Sequence, residues 1–213
     1  MARPRTPAGR ARETLRRLTE EYPDARCELD HENPFQLLAA TILSAQCTDA
    51  RVNMVTPHLF ARYPTAFELA EADPLELEEI IRSTGFFRSK AKNLIAMAQG
   101  LVQDHDGEVP GKMSELTELG GVGRKTANVV RSVALDLPGL PVDTHVGRLS
   151  RRLGLTTEED PVKVEMVLNG MIPAKERGVF SLRLILHGRR VCLARKPRCG
   201  DCVLNDFCPS SQV

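Results

Sequence analysis

Lys125 stands where a lysine is poorly accommodated by local physics. In "LGGVGRKTA", residues 119–127, three glycines crowd into four positions, and a helix-like pattern follows at once with Arg124 and Lys125 in its first turn. Glycine inside a helix costs about 1 kcal/mol relative to alanine. Cations at a helix N-terminus oppose the helix dipole, where negative groups are favoured by about 0.3–1 kcal/mol each. Local structure alone leaves Lys125 unexplained. The glycines allow a sharp turn and close approach of a ligand to the main chain. The amides of Gly121, Val122 and Gly123 then form an anion site at the start of the second helix, suited to a DNA phosphate whatever the base sequence. The stretch "SELTELGGVGRKTANVVRSVAL" thus reads as a helix-hairpin-helix element, with Ser114 capping the first helix. The bland alternative is an ordinary helical corner in a bundle.

Four of the six cysteines fall in the last 22 residues, in "CLARKPRCGDCVLNDFC". Cys192, Cys199, Cys202 and Cys208 are spaced C-x6-C-x2-C-x5-C, in a segment with little apolar content to build its own core. Four thiolates closing on a metal would explain how it folds. Zinc usually takes two close ligand pairs, and here only Cys199 and Cys202 are that close. An iron–sulfur cubane also suits four cysteines in one run, although this is not a ferredoxin spacing. Disulfides are the weaker reading, since nothing indicates export. Cys27 and Cys47 lie apart from this group and read as buried or inert thiols.

The net charge of +1 conceals an asymmetry. Residues 1–120 carry 14 Lys and Arg against 19 Asp and Glu, and residues 121–213 carry 15 against 9. Between 177 and 200 there are seven basic residues, Arg195 and Lys196 among them, and no acid. Nucleic acid is the first partner such a surface suggests, with a solvated helix face as the alternative. A composition of 42% hydrophobic and 27% charged residues is that of a globular protein. No apolar run reaches the roughly 20 residues of a membrane span. The start "MARPRTPAGRAR" has no apolar core, so it reads as a solvated tail and not a secretory signal.

Nearly every segment that must position these groups reads as helix. Asn33–Pro34, Asp73–Pro74 and Asp160–Pro161 each offer an N-cap followed by proline at the first helical position. Apolar residues at helical spacing follow each of them. Gly85, Gly107 and Gly154 fall where helices end, and Asp143 is placed to cap "THVGRLSRRLG". No stretch alternates long enough for a strand. The expected fold is all-α, with about ten helices and short connections.

The hairpin "LGGVGRKTANVV", then "PVDTHVGRL" with Asp143 18 residues after Lys125, then the four-cysteine tail, together resemble bacterial endonuclease III. That family comprises DNA glycosylases with abasic-site lyase activity, within the helix-hairpin-helix superfamily. The similarity extends to "LLAATILSAQCTDARVN" and "LILHGRRVCLARKPRCGDC" and leaves out only the first few residues. The resemblance implies two helical domains with a DNA-binding cleft between them. One is a six-helix domain, residues 23–137, containing the hairpin; the other joins residues 1–22 to 138–213 around a 4Fe–4S cluster. It implies that Lys125 is the nucleophile at the sugar C1′ and that Asp143 assists it; an ammonium next to a helix N-terminus and partly buried is pushed toward the neutral amine, the form that attacks. It makes Cys192, Cys199, Cys202 and Cys208 the cluster ligands, and puts Lys196, with Arg195 beside it, against DNA. Gln46 would fill the gap left by an extruded nucleotide, and Phe86 would be an apolar wedge in the duplex. His145, one turn from Asp143, is expected to be structural or to contact a phosphate. The implied substrate is double-stranded DNA with oxidised pyrimidines or abasic sites, handled by a monomer in the cytoplasm, near the nucleoid.

Two departures stand out. Gly120 replaces a proline common in the family's hairpin, which predicts a more flexible turn, and Phe86–Phe87 replaces a frequent Leu-Tyr. Adenine glycosylases share the cysteine spacing but lack the lysine and carry a further domain; Lys125 and the stop at Val213 read against them. A non-enzymatic DNA-binding or redox module would need neither Lys125 nor Asp143.

Overall fold

Three Asx–Pro pairs start three helices as their chemistry requires. Asn33 accepts from the Gln36 amide, Asp73 from the Leu75 and Glu76 amides, and Asp160 from the Lys163 amide. A computed structural model describes residues 3–213, and there the fold is eleven α-helices and three short 3₁₀ turns with no strand. The chain is therefore all-α. No helix among the described residues is long and apolar enough to cross a membrane.

The chain divides into two compact units, Cys27–Leu137, and Met1–Arg26 with Pro138–Val213. The first helix, α1 (Pro7–Glu21), opens the discontinuous unit. The contiguous unit holds α2 (Pro34–Leu43), α3 (Asp49–Arg62), α4 (Ala66–Ala70), α5 (Pro74–Ile81), α6 (Phe87–His105), α7 (Met113–Glu118) and α8 (Arg124–Val133). That is one helix more than the six expected. The shortest of them is the five-residue α4, which the capping box of Thr65 and Glu68 makes viable. The core of this unit centres on Leu37, Leu38, Leu43, Leu59, Leu94 and Met97, all fully buried, each worth about 1.5–3 kcal/mol of transfer free energy.

Ser114 does not cap α7. The helix begins at Met113, with Lys112 in the cap position and no side-chain cap bond. Met113 packs against the core and so lies inside the first turn, while the Lys112 ammonium pairs with Glu115 at 2.8 Å.

The discontinuous unit is completed by α9 (Thr144–Arg152), α10 (Pro161–Asn169) and α11 (Arg177–Arg190). Its core joins Ala11, Leu18 and Tyr22 of the N-terminal segment to Phe180, Leu184, Leu204 and Phe207. Tyr22 and Ala25 both pack there, which is why the join falls at Arg26 and not at residue 22. Polar contacts reinforce the splice. The Arg10 guanidinium donates to the carbonyls of Leu153 and Gly154, and Arg17 bonds Asp206 and the Val203 carbonyl. Buried Arg183 donates to the Tyr22 carbonyl at 3.2 Å and the Thr19 hydroxyl at 2.7 Å.

Arg16 and Arg17 also hold Glu13, and their hydrogen bonds lower its carboxyl from 4.5 to about 2. A carboxylate with a depressed folded pKa contributes stability above its unfolded value and loses it as pH falls through the folded value. The window here runs from about pH 4.5 down to 2. Arg17 likewise lowers Asp206, so the pair within α1 and the Arg17–Asp206 contact across the splice weaken together in acid. The melting temperature of the protein should fall across this window, and that of Glu13→Gln should fall less steeply. Parallel curves would mean that the pair contributes nothing measurable.

Candidate functional site

The glycine hairpin is shaped by contact with α6. Gly121 adopts φ +72°, a left-handed conformation that favours glycine. A Cβ at Gly121 would lie 2.7 Å from that of Asn93, and one at Gly120 would lie 2.5 Å from that of Ala96. Gly120 therefore serves close approach of the turn to α6, and the looser turn expected there is not what the packing describes. Val122 turns inward and is buried, and its amide donates to the Leu119 carbonyl at 3.1 Å. Gly123 is the N-cap of α8, and no side chain caps that helix. The expected partial burial of Lys125 does not occur: the side chain is exposed in the first turn of α8. With Gly121 and Gly123 also exposed, the hairpin presents backbone and amine together, the arrangement that suits a phosphate and an adjacent sugar.

Gln46 and Phe86 share an unusual feature. Both take left-handed backbone conformations, φ 53° and 49°, at a cost of order 1–3 kcal/mol for a non-glycine residue. Both line one cavity of about 270 Å³, together with Asn93, Gly121 and Thr126. Phe86 is 65% exposed, so its ring adds nothing to the core. Strain at two residues facing one cavity beside the hairpin marks these loops as functional.

Asp143 belongs to the discontinuous unit and is half-buried. One oxygen accepts from the Val146 amide at 2.8 Å, which is the N-cap of α9, and the other lies 3.2 Å from Nδ1 of His145. The cap expected from the sequence forms. His145 has a definite place: it holds the second carboxylate oxygen and packs against Gly188 of α11, where an added Cβ would lie 2.9 Å from the ring.

The four C-terminal cysteines line one cavity with Leu149, Leu153, Leu204 and His187. None is in a disulfide. Among the described residues no three His, Cys, Asp or Glu side chains are placed to hold a single metal ion. The donor set suits a sulfur-bridged cluster better. Arg152 Nη1 lies 3.3 Å from Cys192 Sγ, and the Leu204 amide lies 3.4 Å from Cys202 Sγ. N–H donors of this kind stabilise cluster thiolates. His187 Nε2 lies 3.3 Å from Cys202 Sγ, and the Tyr22 hydroxyl lies 3.1 Å from Nδ1. Burial lowers His187 to about 4, so the ring is neutral and the tautomer that donates to sulfur accepts from tyrosine. Burial pushes the Cys202 thiol up to about 11, and Cys208 upward as well. These thiols thus need a cationic group to ionise within the cavity.

The basic segment divides by role. Arg177 donates to the Asn169 and Ile172 carbonyls, and Arg183 is buried against α1. Arg195, Lys196 and Arg198 are exposed around Cys192 and Cys199. The solvated-face alternative thus fails for Arg177 and Arg183, which are structural, and the exposed charge is that of Arg189 and Arg190 at the end of the helix Arg177–Arg190 and of Arg195, Lys196 and Arg198 in the loop. Cys27 and Cys47 are half-buried against the core of the contiguous unit, and burial raises the Cys27 thiol.

An all-α fold with a glycine hairpin before a lysine, and four cysteines around one cavity, defines a class of DNA repair protein. The model of the HhH-GPD superfamily of base excision DNA repair proteins matches residues 39–174, and that of the iron–sulfur binding domain of endonuclease III matches residues 192–208. Endonuclease III of Synechocystis sp. is 56% identical over 205 residues, which is 96% of this chain and 94% of that protein. Endonuclease III of Bacillus subtilis is 45% identical, over 93% and 91% of the two chains. A trapped covalent endonuclease III–DNA intermediate superposes with a TM-score of 0.89 at 45% identity, covering 95% of this chain and 96% of that one. The chain belongs to the endonuclease III family within that superfamily. It is accordingly a base excision repair enzyme, a DNA glycosylase with abasic-site lyase activity, and its cofactor is a 4Fe–4S cluster.

Proposed function

We propose that the protein removes oxidised pyrimidines from double-stranded DNA and cuts the resulting abasic site through a Schiff base on Lys125. The observation that carries this reading is the exposed Lys125 amine in the first turn of α8, behind a hairpin whose Gly121 and Gly123 are open to a phosphate. The target nucleotide leaves the stack, because C1′ is otherwise out of reach. The neutral amine attacks C1′, the glycosidic bond breaks, and the base departs with the bonding electrons. The adduct opens to an iminium, C2′ loses a proton, and the C3′–O bond breaks to release the 3′ side of the strand. Asp143 stabilises the positive charge developing on the sugar, and His145 fixes the carboxylate or meets a phosphate. The amides of Gly121 and Gly123 hold one phosphate, and the sequence-based expectation of a third donor at Val122 is not met, because its amide is spent on the Leu119 carbonyl. Arg195 and Lys196 hold other phosphates. Gln46 and Phe86 occupy the gap left by the extruded nucleotide. The enzyme works as a monomer in the cytoplasm, at the nucleoid.

A panel of defined duplexes tests the substrate class. Thymine glycol, 5-hydroxyuracil and 5-hydroxycytosine should each be released with strand scission on the same time course. A preference for uracil or for 8-oxoguanine over these three would overturn the assignment.

Cys192, Cys199, Cys202 and Cys208 would hold the cluster. When bound, it ties the four thiolates into one scaffold for the loop that carries Arg195 and Lys196. Purified protein should contain about four irons per chain. Cys202→Ser should lower iron content, expose the C-terminal loop to protease and weaken DNA affinity. Full affinity in iron-poor protein would show that the loop needs no scaffold.

A further inference from the structure

Lys90 is a buried cation for which the chemistry above has no use. It lies in the first turn of α6, is 4% exposed, and donates from Nζ to the carbonyls of Leu43 and Thr84, each at 2.8 Å. Leu43 is the last residue of α2, and Thr84 closes the 3₁₀ turn Arg82–Thr84. Gln46 and Phe86 follow these carbonyls by three and two residues, and they are the two left-handed residues that face one cavity. Lys90 also contributes to the lining of that cavity.

Burying an ammonium carries a penalty of several kcal/mol before partners compensate. Desolvation lowers the pKa of Lys90 accordingly. An apolar side chain of similar length would fill the same space without that penalty. What such a side chain could not do is donate to two carbonyls at once. Helix-end carbonyls, orphaned by the end of their own ladder, are where a cationic donor is most favourable. The bonds fix the ends of two separate loops to one atom. Each loop leaves that atom directly into a strained residue.

We infer that Lys90 is a positioning residue, a tether that holds the Gln46 loop and the Phe86 loop in register so that both side chains enter the duplex together. The inference rests on the reading that Gln46 and Phe86 enter DNA. Lys90 is no rival to Lys125 as nucleophile, since it is enclosed and two of its three N–H donors are spent on carbonyls. Its role is mechanical and acts through the loops it joins.

The test compares Lys90→Met, Lys90→Gln and Phe86→Ala, all as full-length protein with the cluster. Methionine keeps the length and apolar stem, and thermal melting checks the fold. Base release is measured in single turnovers on duplex and on single-stranded substrate, and 2-aminopurine placed opposite the lesion reports unstacking. Lys90→Met is expected to lose about tenfold to a hundredfold on duplex, the usual result of misplacing groups by an ångström. It should keep single-strand activity and borohydride trapping within about twofold, and it should lose the 2-aminopurine signal. Glutamine has two N–H donors for the two carbonyls, so Lys90→Gln should restore most of the duplex preference. Equal losses on both substrates in Lys90→Met, or no rescue by glutamine, overturn the tether. If Phe86→Ala lowers the duplex rate and the 2-aminopurine signal while Lys90→Met changes neither, the tether fails and insertion stands. If Phe86→Ala also changes neither, insertion itself fails and the tether falls with it.

Discussion

Lys125→Gln is expected to abolish borohydride trapping and strand scission, with single-turnover base release falling by about 10⁴-fold or more. Glutamine keeps most of the side chain's length and its N–H donors, and it removes the nucleophilic lone pair together with the positive charge. The hairpin should survive the change. Gly120 and Gly121 are fixed by contact with Ala96 and Asn93 of α6, and Lys125 points to solvent. DNA affinity should therefore change by no more than about threefold, roughly the loss of one partly screened phosphate contact. Trapping that persisted would move the nucleophile elsewhere. Lys90 is enclosed between two carbonyls, so exposed Lys92 would be the amine to examine.

Asp143→Asn should leave binding intact and slow base excision by about 10²–10⁴-fold, the range for a positioned acid–base or electrostatic group. The substitution separates two roles that coincide in one side chain. Asparagine caps helices as well as aspartate does, so the bond to the Val146 amide persists and α9 should not fray. What disappears is the negative charge, along with the charged acceptor for His145. Asp143→Ala removes both and should also cost about 1 kcal/mol of stability. A rate for Asp143→Asn within about threefold of the unmutated enzyme, beside a crippled Asp143→Ala, would reduce the residue to a cap.

Local chemistry made much of this legible in the sequence. Asn33, Asp73, Asp143 and Asp160 cap helices because a short carboxylate or amide before a helix has one favourable partner, the amide two or three residues on. The C-terminal cysteines share a cavity because their segment has few other ways to fold. Ser114 misled because tertiary packing of Met113 outweighed a cap worth about 1 kcal/mol. Lys90 was readable in part. It falls between Phe87 and Leu94 on the apolar face of α6, and a lysine at such a position needs partners. Those partners, the Leu43 and Thr84 carbonyls, are backbone groups that carry no sequence signature. The left-handed turns at Gln46 and Phe86 are opaque for the same reason, since neither residue type announces φ > 0. His187 sits on the buried stripe of α11 with Phe180 and Leu184, and its link to Tyr22 spans 165 residues.

That separation also fixes an order of events on the ribosome. The α1 segment is made before the contiguous unit, yet its packing partners Phe180, Leu184 and Leu204 are made after that unit. Translation at about 5–20 residues per second places roughly 8–33 s between the emergence of Tyr22 and that of His187. The contiguous unit, Cys27–Leu137, is complete well inside that interval. It can fold while α1 waits with Leu18 and Tyr22 in water. The nascent chain therefore spends seconds with α1 apart from its packing partners, and the residues after Pro138, cysteines included, close the second core around it.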